Sequence, residues 1–241
     1  MIINPITETI SIGELSLNVQ IERTKRKRTI SLQVKDNKLT IKAPKAVSKK
    51  KLDELIQRKK TWIRERAIIN FEEQALRNRE FIDNEKFYFR GKAYRLSLIE
   101  GQEETVKIAE GLLVVTFIHY KPLDRKVIKK LVEDWYLSES IKILKTRTNE
   151  LAKKMKVQPC GMTIKNYISK WGSCTAHNKI SYNWRIIMAP DYIIDYLIIH
   201  ELSHIIQPNH SQDFWHHVAK YCDSFQTKRK WLRENGHRLV L

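Results

Sequence analysis

The sequence predicts an α+β fold in two parts, a β-rich basic domain over residues 1–121 and a mostly helical domain over residues 122–241. Two observations predict this division. In the first part, apolar residues alternate with polar ones at period two, which is typical of half-buried strands. After a turn-like cluster, Lys121–Pro122–Leu123–Asp124, apolar residues recur at helical spacing for about thirty residues. The 241 residues suffice for one large domain or two small ones.

The first domain is predicted to contain short strands and one long helix. Apolar residues alternate over residues 15–21, and again over residues 30–41 on both sides of the turn cluster Asp36–Asn37–Lys38. The second alternation therefore predicts a hairpin. Ser48 can cap a highly charged helix over about residues 49–78. Further short strands, separated by glycines, are expected before the domain boundary.

The second domain is predicted to contain helices around one hairpin. Its first helix should end near Met155. The segments Met162–Ile168 and Ile180–Ile186 alternate as strands on either side of a polar turn, which predicts a hairpin. A helix beginning near Pro190 follows, and residues 214–238 are expected to form helical cover for the core.

The stretch His200–Glu201–Leu202–Ser203–His204 predicts a metal centre. Two histidines four residues apart on a helix lie on one face, so both imidazoles can bind one ion, and Glu201 is then the expected general base. His210 is the expected third ligand, because Pro208 stops the helix and Ser211 can cap the next one. Three imidazoles suit Zn²⁺, although they also accept nickel or cobalt. One alternative is that the five-residue pattern arose by chance. A separate alternative is that His210 alone is a surface residue.

Several longer stretches carry a family resemblance. They are RKRTISLQV (26–34), APKAVSKKKL (43–52), SKWGSC (169–174), ISYNWRIIMAP (180–190) and HELSHIIQPNHSQDFW (200–215). In these stretches the chain is similar to the YgjP-like family of predicted zinc metallohydrolases, which look like compact relatives of SprT-like and gluzincin-type metallopeptidases. The resemblance implies a hairpin before the metal helix and a zinc-dependent hydrolase of zincin type. It also implies an exposed edge strand that receives an extended peptide, which we assign to the first strand of the predicted hairpin.

The expected mechanism is hydrolysis by a metal-bound water whose proton Glu201 accepts. Negative charge on the substrate oxygen then requires a further donor. The candidate donors and substrate contacts are Trp171, Gly172, Ser173, Arg185 and Asn209. For Arg185 the alternative role is an ion pair with Asp191 or Asp195.

The charge of the chain predicts attraction to polyanions. The formal net charge is +18, from 45 Lys and Arg against 27 Asp and Glu. Arg26, Lys27 and Arg28 belong to the densest basic cluster and are the candidate nucleic-acid contacts. The alternative is a solvated basic surface without a partner.

Three functions therefore compete. The first is a zinc metallopeptidase acting on polypeptides. The second is a zinc-dependent nucleoside triphosphate pyrophosphatase of the UTP type, a role attached to some YgjP-like members, although no phosphate-cradling glycine loop is present. The third is a nucleic-acid-associated protein that brings a protease domain to DNA, as SprT-like peptidases do.

The sequence also predicts a cytoplasmic protein that does not enter a membrane. It contains no apolar run of about eighteen residues, and its N-terminus lacks the order of a secretory signal. The three cysteines, Cys160, Cys174 and Cys222, form no CxxC pair, so neither a disulfide framework nor a cysteine zinc cluster is expected.

Overall fold

The computed structural model describes residues 7–119 and 124–241. It confirms the α+β class, with sheets and helices in both of the compact units into which the chain divides, residues 1–78 and residues 79–241. Among the described helices, none is long and apolar enough to cross a membrane.

The first unit is a four-stranded sheet followed by two helices. Its strands pair in the order β1-β2-β4-β3, with β2 and β4 parallel and the outer pairs antiparallel. The predicted hairpin between β3 and β4 is confirmed, and it turns at Asp36 and Asn37 with φ of 50° and 56°, as a two-residue type I′ turn requires. The elements are β1 (Thr7–Ile12), β2 (Leu15–Thr24), β3 (Ser31–Lys35), β4 (Lys38–Pro44), α1 (Lys49–Arg58) and α2 (Lys60–Arg77).

The predicted single helix over residues 49–78 is two helices that join at Lys59, whose φ and ψ of −101° and 10° leave the helical region. Ser48 caps α1 as predicted, since its hydroxyl accepts from the Lys51 amide. The bend lets both helices bury side chains in the same core, Leu52 from α1 and Ile63 from α2.

The second unit begins with a sheet of the same topology. Its strands pair in the order β5-β6-β8-β7, again with the two central strands parallel. The long helix predicted to end near Met155 follows it. The described part of the unit then contains a three-stranded sheet, three further α-helices and two short 3₁₀ helices, Trp184–Met188 and Gly236–Arg238. The elements are β5 (Lys86–Phe89), β6 (Lys92–Glu100), β7 (Thr105–Ala109), β8 (Leu112–Phe117), α3 (Arg125–Met155), β9 (Gly161–Lys165), β10 (Gly172–Cys174), β11 (Lys179–Asn183), α4 (Asp191–Ser203), α5 (Gln212–Tyr221) and α6 (Phe225–Asn235).

The predicted domain boundary between residues 121 and 122 falls in residues 120–123, outside the described residues. The compact units divide earlier, at Asn78 and Arg79. The reason is that the β5–β8 sheet shares one core with the later helices: Phe87 and Val115 pack in the same cluster as Ile128 of α3.

The three-stranded sheet differs from the hairpin that the sequence predicts. β9 pairs with β11 in parallel, and the antiparallel hairpin lies between β10 and β11. The prediction that residues 162–168 and 180–186 form a hairpin is therefore wrong, because the short strand β10 lies between them in the chain and takes the antiparallel place beside β11. The strand that faces the predicted metal helix is likewise β10 rather than β9, as the contact of Gly172 with Glu201 shows.

Candidate metal centre

α4 is a buried helix whose start is fixed by the β5–β6 turn. Most of its side chains are apolar and buried, as expected for a helix enclosed by protein on all sides. Arg90 forms a bidentate ion pair with Asp191, with both N–O distances 2.8 Å. Gly91 packs so closely on Pro190 that an added Cβ would lie 2.8 Å from it. The first turn of α4 is thereby fixed to the preceding sheet.

Three imidazoles converge where α4 ends. His200 lies in the last turn of α4, His204 is its C-cap residue, and His210 lies just before α5. The Nε2 atoms of His200 and His210 are 3.1 Å apart, and one ring nitrogen from each of the three lies within 4.8 Å of the others. The predicted cap of α5 is confirmed, since the Ser211 hydroxyl accepts from the Phe214 amide at 3.4 Å. This cap holds His210 at the entrance of the helix.

The three imidazoles are suited to bind a cation as neutral rings. Burial is the main cause that lowers the pKa of each of them, for His200 to about 3. Nδ1 of His204 lies 3.1 Å from the Gln207 carbonyl, so a proton on Nδ1 is donated there and Nε2 keeps a free lone pair. The buried Nδ1 of His200 has no hydrogen-bond partner among the described residues. Neutral imidazole nitrogens at this separation fit a zinc-like divalent ion.

Aromatic rings hold two of these imidazoles in place. Phe214 stacks on His204 with a centroid distance of 4.5 Å and an angle of 27°. Trp215 stacks on His210 at 5.6 Å and 25°, and Phe225 of α6 stacks in turn on Trp215 at 5.1 Å. Because Phe214 is fully buried, rotation of the His204 ring would require the core to move.

A polar contact also joins α4 to α5. The buried Ser203 hydroxyl donates to the Ile199 carbonyl at 2.7 Å. It lies 3.2 Å from Nδ1 of His217, a residue of α5. This contact adds to the aromatic packing that sets the position of α5, and with it of His210, relative to α4.

The Glu201 side chain lies against the backbone of β10. It is only 4% exposed, and a Cβ added at Gly172 would lie 2.5 Å from its Oε1 and 2.8 Å from its Cδ. Glycine is therefore the residue that lets strand and carboxyl group approach so closely. Burial raises the pKa of Glu201 to about 8, and the positive charge of Lys170 opposes that rise.

Trp171 and Ser173, two of the predicted substrate contacts, flank Gly172 in the chain, Trp171 just before β10 and Ser173 within it. The Ser173 hydroxyl is 3.1 Å from the Tyr167 hydroxyl. The Trp171 indole packs on Gly236, where an added Cβ would be 3.0 Å from the ring.

Asn209 and Arg185 have contacts of their own. The Asn209 side-chain oxygen accepts from the Ser211 amide at 3.1 Å, so it stabilises the turn that carries His210. Arg185 hydrogen-bonds to Asn166, and its guanidinium carbon lies 4.5 Å from the centroid of the Trp184 ring.

The ion pairs considered as an alternative for Arg185 are made by other arginines. Asp191 pairs with Arg90, as described above. Asp195 pairs with Arg147 through two contacts of 2.9 and 2.6 Å. Both aspartates named in that alternative are thus paired with arginines other than Arg185.

The predicted nucleic-acid contacts Arg26, Lys27 and Arg28 lie in an exposed loop of the first unit, between β2 and β3.

Two charged residues near the centre were not predicted from the sequence. Lys170 is close enough to Glu201 for its charge to oppose the rise in the carboxyl pKa. The guanidinium carbon of Arg229 lies 4.7 Å from the centroid of the Trp215 ring. Lys170 lies in the SKWGSC stretch that carries the family resemblance, but it was not among the predicted site residues. For Arg229 the sequence shows only that it follows Phe225 by one helical turn.

The chain is similar to known metallopeptidase domains. A family model described as "YgjP-like, metallopeptidase domain" matches residues 28–235. Among curated proteins none matches the chain. The metallopeptidase zymogen of Pyrococcus abyssi abylysin is similar in structure, with 15% identity and a TM-score of 0.37, over 41% of this chain and 99% of that chain. The metallopeptidase zymogen of Methanocaldococcus jannaschii jannalysin has 23% identity and a TM-score of 0.32, over 36% of this chain and 93% of that chain.

Proposed function

Since this chain belongs to the YgjP-like family of metallopeptidase domains, we propose that it is a zinc-dependent peptidase. In this proposal His200, His204 and His210 hold the metal, and Glu201 is the general base. The observation that carries the proposal is the convergence of the three imidazoles, whose ligand nitrogens lie within 4.8 Å of one another.

The chemistry divides between the metal and the chain. A bound zinc ion supplies Lewis acidity and lowers the pKa of water. Glu201 takes the proton from the attacking water and delivers it to the departing amine nitrogen. The packing of Glu201 on Gly172 fixes the carboxyl group in one position, and Phe214 and Trp215 do the same for two of the imidazoles.

We propose that the polypeptide substrate pairs with β10. In its sheet, whose strands lie in the order β10-β11-β9, β10 is an edge strand. Edge strands offer unpaired backbone groups to which an extended peptide can add as a further strand. Since Gly172 of β10 contacts Glu201, a peptide on this edge would bring its backbone near the carboxyl group. Trp171 and Ser173 are the side chains of this segment proposed to contact the substrate.

The test combines metal analysis with hydrolysis of an unfolded protein such as casein. We expect Glu201→Gln to retain zinc and to lose about 100-fold or more of the hydrolysis rate, the usual contribution of a general base. His204→Ala should lose both zinc and activity. The matched controls are Glu133→Gln, whose carboxylate pairs with Lys129 at 3.9 Å on α3, and the exposed His216→Ala. Undiminished hydrolysis by Glu201→Gln would remove Glu201 from the mechanism.

Hydrolysis of nucleoside triphosphates is the alternative that uses the same metal and base. Within residues 7–119 and 124–241, no observation favours it over peptide hydrolysis. The same variants are therefore assayed for pyrophosphate release from the four nucleoside triphosphates. Release by the wild type that disappears in Glu201→Gln, together with no casein hydrolysis, would replace the peptidase proposal.

A second candidate function, nucleic-acid binding, is favoured by the topology of the first unit. β2 and β4 are parallel, and Thr24 lies opposite Pro44, so their carboxyl ends are neighbours. Basic segments leave both strands at that end. Arg23 joins the segments, since its Nη1 lies 3.1 Å from the Pro44 carbonyl and 2.6 Å from that of Val47. We call this cluster the basic edge, and it comprises Lys25, Arg26, Lys27, Arg28, Lys45, Lys49, Lys50 and Lys51.

The basic edge suits the phosphate backbone of DNA rather than its bases. The first aromatic residue of the chain is Trp62, so the cluster has no aromatic side chain on which bases could stack. Phosphate contacts give binding that depends on salt and is independent of sequence.

Fluorescence anisotropy with a DNA duplex at several salt concentrations tests this binding. Replacing Arg26, Lys27 and Arg28 with glutamine should weaken binding and reduce the salt slope by about 0.9 for each lost phosphate contact. Lys35→Gln with Lys38→Gln is the control, because these residues flank the β3–β4 turn at the other end of the sheet. Absent binding, or equal losses in both variants, would contradict the second function.

A further inference from the structure

One guanidinium lies close to the metal centre without being one of its ligands. Arg229 is on α6, and its guanidinium carbon is 4.7 Å from the centroid of the Trp215 ring. Trp215 stacks in turn on His210 at 5.6 Å. The charge of Arg229 is also among the causes that lower the pKa of His200 and His210, after burial. Arg229 is therefore within electrostatic reach of the site.

The hydrogen-bonding groups of Arg229 are available to a ligand. Other arginines of the second unit form bidentate pairs with carboxylates, as Arg90 and Arg147 do with Asp191 and Asp195. Arg229 is exposed, and among the residues that the structure describes its guanidinium has neither a hydrogen bond nor an ion pair. A guanidinium that lies over an aromatic ring can still donate from its N–H groups, because these groups lie in the guanidinium plane. They can therefore bind a planar anion at the edge of the guanidinium.

The distance between the Arg229 guanidinium and the metal centre limits where on a substrate such an anion can lie. The guanidinium contacts Trp215 rather than a ligand imidazole, so it lies one ring outside the metal ligands. The two ring contacts in series place it within about 10 Å of His210, which is about three residues of extended chain. A substrate group up to two or three residues from the scissile bond would therefore be in reach of the guanidinium.

We infer that Arg229 binds a carboxylate of the polypeptide substrate and so selects peptides that carry one near the scissile bond. The inference rests on the peptidase function proposed above. Two sources share this chemistry, the C-terminal carboxylate and the side chain of an aspartate or glutamate. A carboxylate matches the guanidinium fork in a bidentate geometry, and peptides supply it from either source.

Fluorogenic peptides of one sequence separate the two sources. One pair differs only in a C-terminal acid or amide, and further pairs place glutamate or glutamine up to three residues on either side of the scissile bond. For the wild type loaded with zinc, we expect a carboxylate peptide to have a KM lower by about 10-fold than its neutral partner, the usual size of a charge-assisted contact at an exposed site. The pair that shows the difference identifies the source.

Variants of Arg229 then test whether the preference depends on the guanidinium. Arg229→Gln should abolish the difference between paired peptides while leaving the kcat of the neutral peptide and the zinc content unchanged. Arg229→Lys should retain only part of the difference between paired peptides, because lysine keeps the positive charge but cannot form two parallel hydrogen bonds to a carboxylate. Arg233→Gln is the control, one turn further along α6, where Arg233 faces Glu234 at 3.9 Å. A preference that persists in Arg229→Gln, or an equal loss for acidic and neutral peptides, would overturn the inference, since the second result indicates a role in packing alone.

Binding to the Glu201→Gln protein, measured by anisotropy of labelled peptides, separates this inference from the peptidase proposal. Binding that favours the acidic peptide and loses that preference in Glu201→Gln/Arg229→Gln supports the carboxylate site, even if the wild type cleaves nothing and the peptidase proposal fails. Equal binding of acidic and neutral peptides, or no binding of either, counts against Arg229 whatever the hydrolysis assay shows.

Discussion

Replacing Gly172 with alanine displaces the proposed general base without removing it. The added Cβ would lie 2.5 Å from Oε1 of Glu201 and 2.8 Å from both Cδ and Cγ. Contacts between such atoms are normally about 3.5 Å, so the carboxyl group or the strand must move by about 1 Å. A displacement of about 1 Å in a reacting group can reduce the rate about 100-fold, and overpacking a filled site costs about 1–3 kcal/mol of unfolding free energy.

The assay measures kcat/KM for casein-derived peptides, zinc content and the urea midpoint in parallel. We expect Gly172→Ala to keep zinc, because the three imidazoles are not displaced, and to lose about 100-fold in kcat/KM. Gly161→Ala is the matched control, since Gly161 is also a strand residue of this sheet and an added Cβ there would meet no atom within 4 Å. Full activity in Gly172→Ala, or an equal loss in Gly161→Ala, would refute the idea that Gly172 positions Glu201.

Three further predictions concern packing, metal and thiols. Phe214→Ala should cost about 3–5 kcal/mol in urea unfolding and weaken zinc binding, because Phe214 is fully buried and stacks on His204; a loss below about 1 kcal/mol would contradict this. At zinc concentrations 100 times the Kd, binding should raise the free energy of unfolding by about 2.7 kcal/mol. The accompanying rise in Tm should be reversed by a chelator and should be absent in His204→Ala. Cys160 is exposed and should react first with a thiol reagent at pH 8, whereas Cys222 should react last, because burial raises the pKa of its thiol and thereby reduces the thiolate fraction.

Local patterns predicted the elements of the site well. The run of apolar residues after Pro190 predicted α4, although the helix ends at Ser203 and not at Pro208, and Ser211 was correctly identified as the cap of α5. Such signals depend on residues within a turn or two of one another, so a single stretch of sequence contains them completely. The proximity of His210 to His200 follows from the same short segment, because a capped turn leaves the chain little choice of direction.

Pairing between distant segments was predicted less well. Alternation identified residues 162–168 and 180–186 as strands, yet it cannot distinguish a parallel from an antiparallel neighbour, and β10 is too short to show a period. The kink at Lys59 and the shared topology of the β1–β4 and β5–β8 sheets are equally invisible in the sequence, since a repeat of pairing order requires no repeat of residues.

The sequence by itself determined which residue types could hold a metal and move a proton, because histidines four apart on a helix lie on the same face. Only the tertiary structure decided what surrounds them: β10 against Glu201, Phe214 and Trp215 against the imidazoles, and Arg229 above Trp215. These contacts join separate elements, from β10 to α6, and they depend on how close-packed side chains fill the space between those elements. Packing of this kind is a property of the assembled fold and leaves no periodic pattern in the chain.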